Sequence, residues 1–251
     1  MRAGGDIRAV LFDMDGVLVD VSGSYRRAIE ETVLHFTGRQ IRANTVQRYK
    51  NHGGFNDDWA LTHAIITDSG MTVSFSRVVG EFQRRYRGES WDGFIRDEVP
   101  LVEETTLNLL TSGGRVLGIV TGRPEAEARW TLEQLGWTRY FPLLVAREKH
   151  ERRGKPDPYP LQLALGILNA AGMDVRPNLA VYIGDSVDDM QAARAAGMWA
   201  IGIAPPFLER EAHTRLLIER GAHVVTHQPN RLPSLLDDLP ELIAANAAAQ
   251  G

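Results

Sequence analysis

The chain has 251 residues, enough to bury a full core as one large or two modest domains. Its formal net charge of −4 argues against a nucleic-acid partner, and its lack of cysteine excludes disulfides and thiolate metal sites. No apolar run is long enough for a membrane span and no secretory leader precedes the first apolar segment, so we expect no membrane partner and a cytoplasmic location.

The first predicted element is a strand over residues 7–12, which are mostly apolar and partly β-branched. It runs into Asp13-Met14-Asp15-Gly16, where the glycine indicates a tight turn. Two carboxylates at the end of a buried strand are costly to desolvate, and a divalent cation such as Mg²⁺ would compensate them. The alternative is an aspartate-rich turn without chemistry, and the rest of the chain decides between the two.

The next segment, from residue 22 to about residue 89, shows helical periodicity and almost no strand-like run. The pattern predicts helices over residues 24–36, 44–49, 56–68 and 74–86. This block lies between two stretches of α/β character. We therefore predict an α-helical cap over residues 21–95, inserted into a core made of residues 1–20 and 96–251.

Helices and strands alternate from residue 101 onward. The predicted strands cover residues 115–120, 143–145, 179–183, 199–203 and 223–225, and the predicted helices cover 101–111, 124–135, 158–171, 187–196, 209–219 and 232–239. Nearly continuous apolar strands separated by helices indicate an α/β fold with a parallel sheet covered on both faces. Ligands bind such sheets outside the carboxyl ends of the strands. We expect the alanine-rich residues 244–251 to fray.

Two further motifs follow predicted strands. Thr121-Gly122-Arg123-Pro124 comes after the strand at 115–120, and a hydroxyl, a glycine amide and a helix N-terminus together form a natural phosphate receptor. Capping of the helix by Thr121 is the structural alternative. Lys155-Pro156 precedes the next helix, and beside carboxylates and a phosphate its ammonium would have charge to neutralise, although a solvated lysine would look the same in isolation.

A last acidic motif, Gly184-Asp185 through Asp189, follows the strand at 179–183. Asp185 and Asp189 are four residues apart, so on a helix they share a face, whereas Asp188 points away and is expected to be solvated or to act only indirectly. Acidic residues in a first helical turn often merely complement the helix dipole. All four motifs nevertheless end a strand or begin the next helix, which predicts one catalytic site at one edge of the sheet.

The motifs Asp13-Met14-Asp15-Gly16-Val17-Leu18, Thr121-Gly122, Lys155-Pro156 and Gly184-Asp185 through Asp189, in this order, resemble those of the haloacid dehalogenase superfamily. The resemblance is to its phosphatase side, in the phosphoglycolate-phosphatase and phosphoglucomutase-like branch with a helical cap. It implies a Rossmann-like core, a mobile cap and Mg²⁺-dependent phosphoryl transfer through an aspartyl-phosphate. One departure is Val17, where threonine is commoner in the family.

The residues also suggest how such a reaction would proceed. A carboxylate can attack phosphorus, and Asp13 is the candidate nucleophile. Asp15 is placed to protonate the leaving oxygen and later to activate water. We expect Mg²⁺ to be held by Asp13, the Asp15 backbone carbonyl and Asp185. Asp189 would support the metal or orient the lysine, and the transferring oxygens would be held by Thr121, Gly122 and Lys155.

Substrate contacts are also expected outside these motifs. The paired glycines Gly53 and Gly54 indicate a cap loop that approaches something closely, and Asn56 offers a polar contact, although a flexible connection would also fit. Arg123 would touch substrate or cover a helix end. The charged residues 147–153 predict a solvated loop.

The sequence therefore predicts a Mg²⁺-dependent phosphatase for a small phosphorylated metabolite. A phosphomutase is the main alternative because it would use the same four motifs. A dehalogenase fits less well because Asp15 has no task in halide displacement. A catalytically silent binding module should have lost one of the four motif residues, Asp13, Asp15, Lys155 or Asp185, and all of them are present.

Overall fold

A computed structural model describes residues 7–42 and 44–249 of the chain. Its strands are β1 Ala9–Phe12, β2 Val19–Asp20, β3 Val99–Pro100, β4 Val116–Val120, β5 Leu143–Val145, β6 Ala180–Gly184, β7 Trp199–Ile203 and β8 Val224–Thr226. Its α-helices are α1 Tyr25–Thr37, α2 Thr45–His52, α3 Asp58–Asp68, α4 Phe75–Tyr86, α5 Glu104–Ser112, α6 Glu125–Gln134, α7 Tyr159–Ala170, α8 Val187–Ala195, α9 Arg210–Glu219 and α10 Leu232–Ala249.

Six strands form one sheet in the order β5-β4-β1-β6-β7-β8, and every pairing in it is parallel. The first strand is central, with Phe12 opposite Ile119 of β4 and Ile183 of β6. The carboxyl ends of these three strands are therefore adjacent, and the motifs that follow them meet at one edge. The predicted α/β fold with a parallel sheet is confirmed.

Both faces of the sheet are buried. Along β1, Val10 and Phe12 belong to one apolar cluster, and Ala9 and Leu11 belong to another. Successive residues of a strand point to opposite faces, so the two clusters cover the two sides of the sheet. This explains why the strands are apolar throughout instead of alternating.

Helices α1 to α4 lie between β2 and β3, in the segment predicted to be a cap. Their shared core includes Ile29 of α1, Leu61 of α3 and Phe82 of α4, each fully buried. The chain enters and leaves this segment through β2 and β3, which pair in an antiparallel ribbon. This ribbon was not predicted from the sequence, because strands of two residues are too short to show periodicity. The domain boundaries at residues 20–21 and 95–96 stay a prediction.

The final helix is longer than predicted. It continues to Ala249, past the predicted end at residue 239, and the expected fraying from residue 244 stays a prediction. Alanine has the highest helix propensity, which favours continuation of the helix. Residues 250 and 251 lie outside the described residues. No helix within residues 7–42 or 44–249 combines the length and the apolar character needed to cross a membrane.

Candidate active site

The backbone continues the sheet pattern just beyond the strands that carry the motifs. The N–H of Asp13 donates to the carbonyl of Ile183 at 2.8 Å, and the N–H of Thr121 donates to the carbonyl of Val145 at 3.0 Å. The Thr121 hydroxyl accepts the N–H of Arg123 at 3.2 Å, which is the local turn contact expected from a structural role. Backbone hydrogen bonds to the neighbouring strands thus fix the positions of Asp13 and Thr121.

Asp13, Asp185 and Asp189 form a cluster of carboxylates at this edge. Each contributes an oxygen, and these oxygens lie within 4.8 Å of one another. Among the described residues, the buried Oδ1 of Asp13 accepts no well-oriented hydrogen bond, and its ion-pair partner is the Lys155 ammonium at 3.1 Å. Gly16 has a φ of +73°, and a Cβ there would lie 2.2 Å from Asp185 Oδ2, so a glycine is needed for this close approach. Closely spaced carboxylate oxygens of this kind fit a hard divalent cation.

The three carboxylates of this cluster are only partly neutralised, because Lys155 contributes one positive charge beside them. The pKa of Asp13 is raised to about 7, chiefly by burial, with Lys155 lowering it and the nearby Asp189 and Asp15 carboxylates contributing to the rise. Burial also raises the pKa of Asp185 well above its ordinary value, with Asp189 and Asp13 adding to the effect. A cation held between these groups would favour their charged forms. The donor set and the charge balance therefore both fit a metal site.

Lys155 lies beside this cluster and is buried. Its Nζ is 2.6 Å from Asp189 Oδ1 and 3.1 Å from Asp13 Oδ1, and it donates to the Tyr182 hydroxyl at 2.7 Å. Burial alone would lower the pKa of Lys155, but Asp13 and Asp189 outweigh it and raise that pKa. Tyr182 in turn donates to the carbonyl of Val120 at 2.8 Å. Tyr182 was not predicted as a site residue. Its only signal in the sequence is a hydroxyl group within an otherwise apolar strand.

Both oxygens of Asp189 are already engaged by the protein. Oδ1 faces Lys155, and Oδ2 accepts the Ser186 hydroxyl at 2.7 Å and the Ser186 and Asp185 N–H groups at 3.0 Å and 3.2 Å. The contacts with Ser186 form a capping box at the start of α8. Of the two roles predicted for Asp189, this arrangement favours the orientation of Lys155.

The cap loop reaches the core beside the cluster. The N–H of Gly54 donates to Asp188 Oδ1 at 2.9 Å and Oδ2 at 3.0 Å. A Cβ on Gly122 would lie 2.8 Å from Asn56 Nδ2, so the loop also lies against the predicted phosphate receptor. Asp188 is 2% exposed, so of its two expected roles solvation is wrong and the indirect role is left. Its contact with Gly54 joins the two parts of the chain.

The cap also contributes charged groups that the sequence analysis missed. Arg26, Lys50 and Asp58 line a cavity that they share with Asp13 and Asp185. Lys50 Nζ is 2.8 Å from Asp58 Oδ1. Within the described residues, Arg26 has no carboxylate within ion-pair distance. No local motif marks these residues, because their positions depend on how the cap helices pack over the sheet.

Two residues of the predicted solvated loop are instead part of the interior or of the cap interface. Arg147 lies 2.6 Å from Asp57 Oδ2 and stacks 4.2 Å from the centre of the Trp59 ring, and both partners belong to the cap. His150 is buried, and burial lowers its pKa to about 4, with Lys155 adding to the effect. These contacts were not predicted, because the run of charged residues at 147–153 is typical of a solvated loop.

Arg123, predicted as a substrate-binding residue, is 1% exposed. Its Nε donates to Asp15 Oδ1 at 2.6 Å, and its other nitrogens donate to Glu98. Glu98 was not among the residues predicted for the site. The predicted substrate contact of Arg123 stays a prediction, and its observed partners are protein groups.

Residues 7–197 match the family model described as "Hydrolase: haloacid dehalogenase-like hydrolase". The chain is 35% identical over 192 residues to a phosphoglycolate phosphatase from Xylella fastidiosa, covering 76% of this chain and 77% of that protein. It is 32% identical over 264 residues to an imidazoleglycerol-phosphate dehydratase from Phytophthora nicotianae, covering 96% of this chain. The chain spans only about half, 54%, of that second protein.

The fold is similar to the crystal structure of a putative beta-phosphoglucomutase from Thermotoga maritima. The TM-score is 0.65 at 22% sequence identity, and the match covers 92% of this chain and 99% of that chain. At this identity the likeness concerns the fold alone.

Proposed function

Because the chain belongs to the haloacid dehalogenase-like hydrolase family, we propose that it is a Mg²⁺-dependent phosphatase acting on a small phosphorylated metabolite. The observation that carries this proposal is the group of Asp13, Asp185, Asp189 and Lys155, in which Asp185 is half-buried, the other three are buried, and Lys155 Nζ lies 3.1 Å from Asp13 Oδ1. With Mg²⁺ bound, this group would suit an anionic substrate, and Asp13 would supply the nucleophilic carboxylate.

In the proposed reaction an Asp13 oxygen attacks phosphorus, and the bond between phosphorus and the ester oxygen breaks. Asp15 gives a proton to the departing oxygen, leaving an aspartyl-phosphate on Asp13. Asp15 then takes a proton from a water that attacks the same phosphorus. Inorganic phosphate leaves, and both carboxylates return to their starting forms.

The remaining groups would hold charge and position. Asp13, Asp185 and the Asp15 carbonyl would hold Mg²⁺, which when bound neutralises charge on the phosphoryl oxygens. Lys155, Thr121 and the Gly122 N–H would hold those oxygens as well. Asp189 would keep Lys155 beside the nucleophile, as its 2.6 Å contact supports.

The cap residues over the cavity would select the leaving group. Arg26 and Lys50 supply two cations there, whereas Asp58 supplies one carboxylate that Lys50 already faces. The Arg26 guanidinium donates to the neutral Gln47 and forms no ion pair within the described residues, so it favours an anionic partner in the cavity. We therefore propose that the metabolite carries a second anionic group besides its phosphate, and the loop of Gly53, Gly54 and Asn56 would contact the rest of it.

The test is phosphate release by the purified chain with Mg²⁺ from a panel of esters. The panel contains phosphoglycolate and imidazoleglycerol phosphate, after the relatives' names, together with neutral alkyl phosphates. Asp13→Asn protein is the control for contaminating phosphatases. We expect release above this control, fastest for an ester with a second anion, and no release from any ester would contradict the proposed function.

The phosphomutase alternative shares the four motifs, and no contact among the described residues favours it. Formation of an isomeric phosphate ester without release of inorganic phosphate would establish it instead. The cytoplasmic location and the lack of a nucleic-acid partner stay predictions.

A further inference from the structure

Arg123 is a buried cation placed directly against Asp15. It ranks among the largest fully buried side chains, and it follows β4 in the turn before α6. Its Nε donates to Asp15 Oδ1 at 2.6 Å, and its Nη2 forms an ion pair with the same oxygen. The Asp15 side chain is 20% exposed. Arg123 therefore binds one oxygen of the Asp15 carboxylate, Oδ1.

The opposite side of the guanidinium is held by Glu98. Nη2 donates to Glu98 Oε1 at 2.9 Å, and Nη1 donates to Glu98 Oε2 at 3.0 Å. Such a forked pair fixes the plane of the guanidinium as well as its position. Nη1 also lies 3.1 Å from the Tyr86 hydroxyl and 3.1 Å from Thr131 Oγ1. All three guanidinium nitrogens thus have protein partners.

Glu98 lies at the joint between the helical segment and the sheet. It directly precedes β3, whose pairing with β2 closes the ribbon through which the chain enters and leaves the cap. The Ser24 hydroxyl, just before α1, donates to Glu98 Oε1 at 3.2 Å, and the Tyr86 hydroxyl of α4 donates to the same atom at 2.9 Å. Glu98 is thus bonded to the cap on one side and to Arg123 on the other.

Stability alone does not explain this arrangement. Burying charged groups is costly, and a buried ion pair is often no more stable than apolar residues of similar volume. Here one of the charges belongs to the carboxylate that the mechanism uses for proton transfer. The chain of contacts from Glu98 through Arg123 to Asp15 therefore reaches the chemistry itself.

We propose that Arg123 is a positioning residue that orients the Asp15 carboxylate for proton transfer, and that Glu98 holds Arg123 in place from the cap joint. The inference rests on the proposed function, because it takes Asp15 as the proton-transfer group. It gives Arg123 a role different from the substrate contact predicted from the sequence.

The kinetic test compares Arg123→Lys and Glu98→Gln with Glu127→Gln. Glu127 is a matched control, because it is also a buried carboxylate that accepts hydrogen bonds from the cap, from Gln83 at 2.7 Å and from Tyr25, yet it is not hydrogen-bonded to Arg123 or Asp15. An alkyl phosphate needs its leaving oxygen protonated, whereas p-nitrophenyl phosphate does not. The measurement is the ratio of kcat/KM for these two substrates.

We expect Arg123→Lys and Glu98→Gln each to lose roughly 10–100-fold more kcat/KM with the alkyl phosphate than with p-nitrophenyl phosphate, since the cost of a protonation defect grows with the basicity of the leaving oxygen. Glu127→Gln should change both by the same factor. Equal losses for the two substrates in Arg123→Lys would overturn the inference. Arg123→Lys keeps a cation opposite Glu98, so this variant can still test the inference if Glu98→Gln fails to fold.

Crystal structures of the wild type and the two variants test the inference without turnover. The Asp15 carboxylate should lose its single orientation in Arg123→Lys and in Glu98→Gln. An Asp15 side chain that keeps its orientation in both variants overturns the inference whatever the kinetics. If the wild type hydrolyses no ester, the proposed function fails, and these structures alone decide whether Arg123 positions Asp15.

Discussion

The backbone N–H of Gly54 donates to both carboxylate oxygens of Asp188, at 2.9 Å and 3.0 Å. The two residues are 134 positions apart in the chain, one in a loop of the helical segment and the other in the first turn of α8. Asp188 is 2% exposed, so water competes little for this contact. The pair joins the cap loop to the helix that carries the carboxylate cluster.

Asp188→Ala should weaken this junction. The Gly54 N–H loses a charged acceptor, and hydrogen bonds to charged groups are worth about 1.5–3 kcal/mol. We expect kcat/KM for the preferred metabolite to fall by roughly 10–100-fold, mainly through KM, with a smaller change for p-nitrophenyl phosphate. Asp188→Asn keeps one acceptor oxygen and should lose less. Steady-state kinetics that show no difference between the two variants would count against the junction.

Gly53→Val should disturb the same loop sterically. Gly53 has a φ of +83°, and a Cβ there would lie 3.1 Å from Asp188 Oδ1. We expect kcat/KM to fall more for the preferred metabolite than for p-nitrophenyl phosphate. The difference should correspond to about 1–3 kcal/mol of transition-state stabilisation, the range for a misfitted pocket. Gly70→Val is the matched control, because Gly70 also has a positive φ of +89° but no atom within 4 Å of its Cβ position. Equal losses for both substrates in Gly53→Val would remove this loop from substrate selection.

Asp13→Asn should abolish turnover while the fold survives. The amide keeps the shape of the side chain but cannot form the aspartyl-phosphate, and losing a covalent nucleophile costs several powers of ten in rate. Burial raises the pKa of Asp13, so a neutral side chain at this position should destabilise the fold little. Phosphate release and thermal melts test both parts, with mass spectrometry to exclude deamidation back to aspartate. Phosphate release by Asp13→Asn at nearly the wild-type rate would contradict the proposed mechanism.

Removal of divalent metal should stop the reaction reversibly. Asp13 and Asp185 each offer an oxygen within 4.8 Å of the other, and carboxylate oxygens are the ligands that Mg²⁺ prefers. We expect Mg²⁺ to restore activity after chelation and Ca²⁺ to restore it poorly, because Ca²⁺ prefers longer bonds and more ligands. Full activity in excess chelator, with metal content checked, would remove the metal from the mechanism.

His150 should make the fold sensitive to acid. Burial lowers its pKa to about 4 in the folded chain, whereas an unfolded histidine has a pKa near 6.5. The unfolded state therefore binds more protons between these values, so the contribution of a neutral His150 is complete above about pH 6.5 and is lost as the pH falls toward 4. The loss should reach at most about 3 kcal/mol.

Urea unfolding at several pH values measures this effect. His150→Gln has no titratable group at this position, so its unfolding free energy should fall less steeply than that of the wild type between pH 6.5 and 4. The same substitution at the exposed His52 controls for the loss of one histidine. Parallel curves for the wild type and His150→Gln would show that His150 does not contribute.

Much of the fold follows from local patterns in the sequence. The apolar strands, their spacing by helices and the glycine after Asp15 are all visible in short windows of residues. The carboxyl ends of parallel strands must share one edge, so the order of the motifs was enough to predict that Asp13, Thr121 and Asp185 would lie at the same edge of the sheet.

Tertiary packing decided what surrounds these residues. Arg123 and Glu98 are 25 residues apart, and Gly54 and Asp188 are 134 apart, so no periodicity or capping signal links either pair. A buried arginine and a solvated one look alike in a sequence, because their difference lies in partners that only the folded chain supplies. The sequence by itself determined the sheet and the motifs at its edge. Only the packing of the cap helices over that edge determined which charges lie behind Asp15 and which face the cavity, since these contacts depend on long-range geometry that no local pattern encodes.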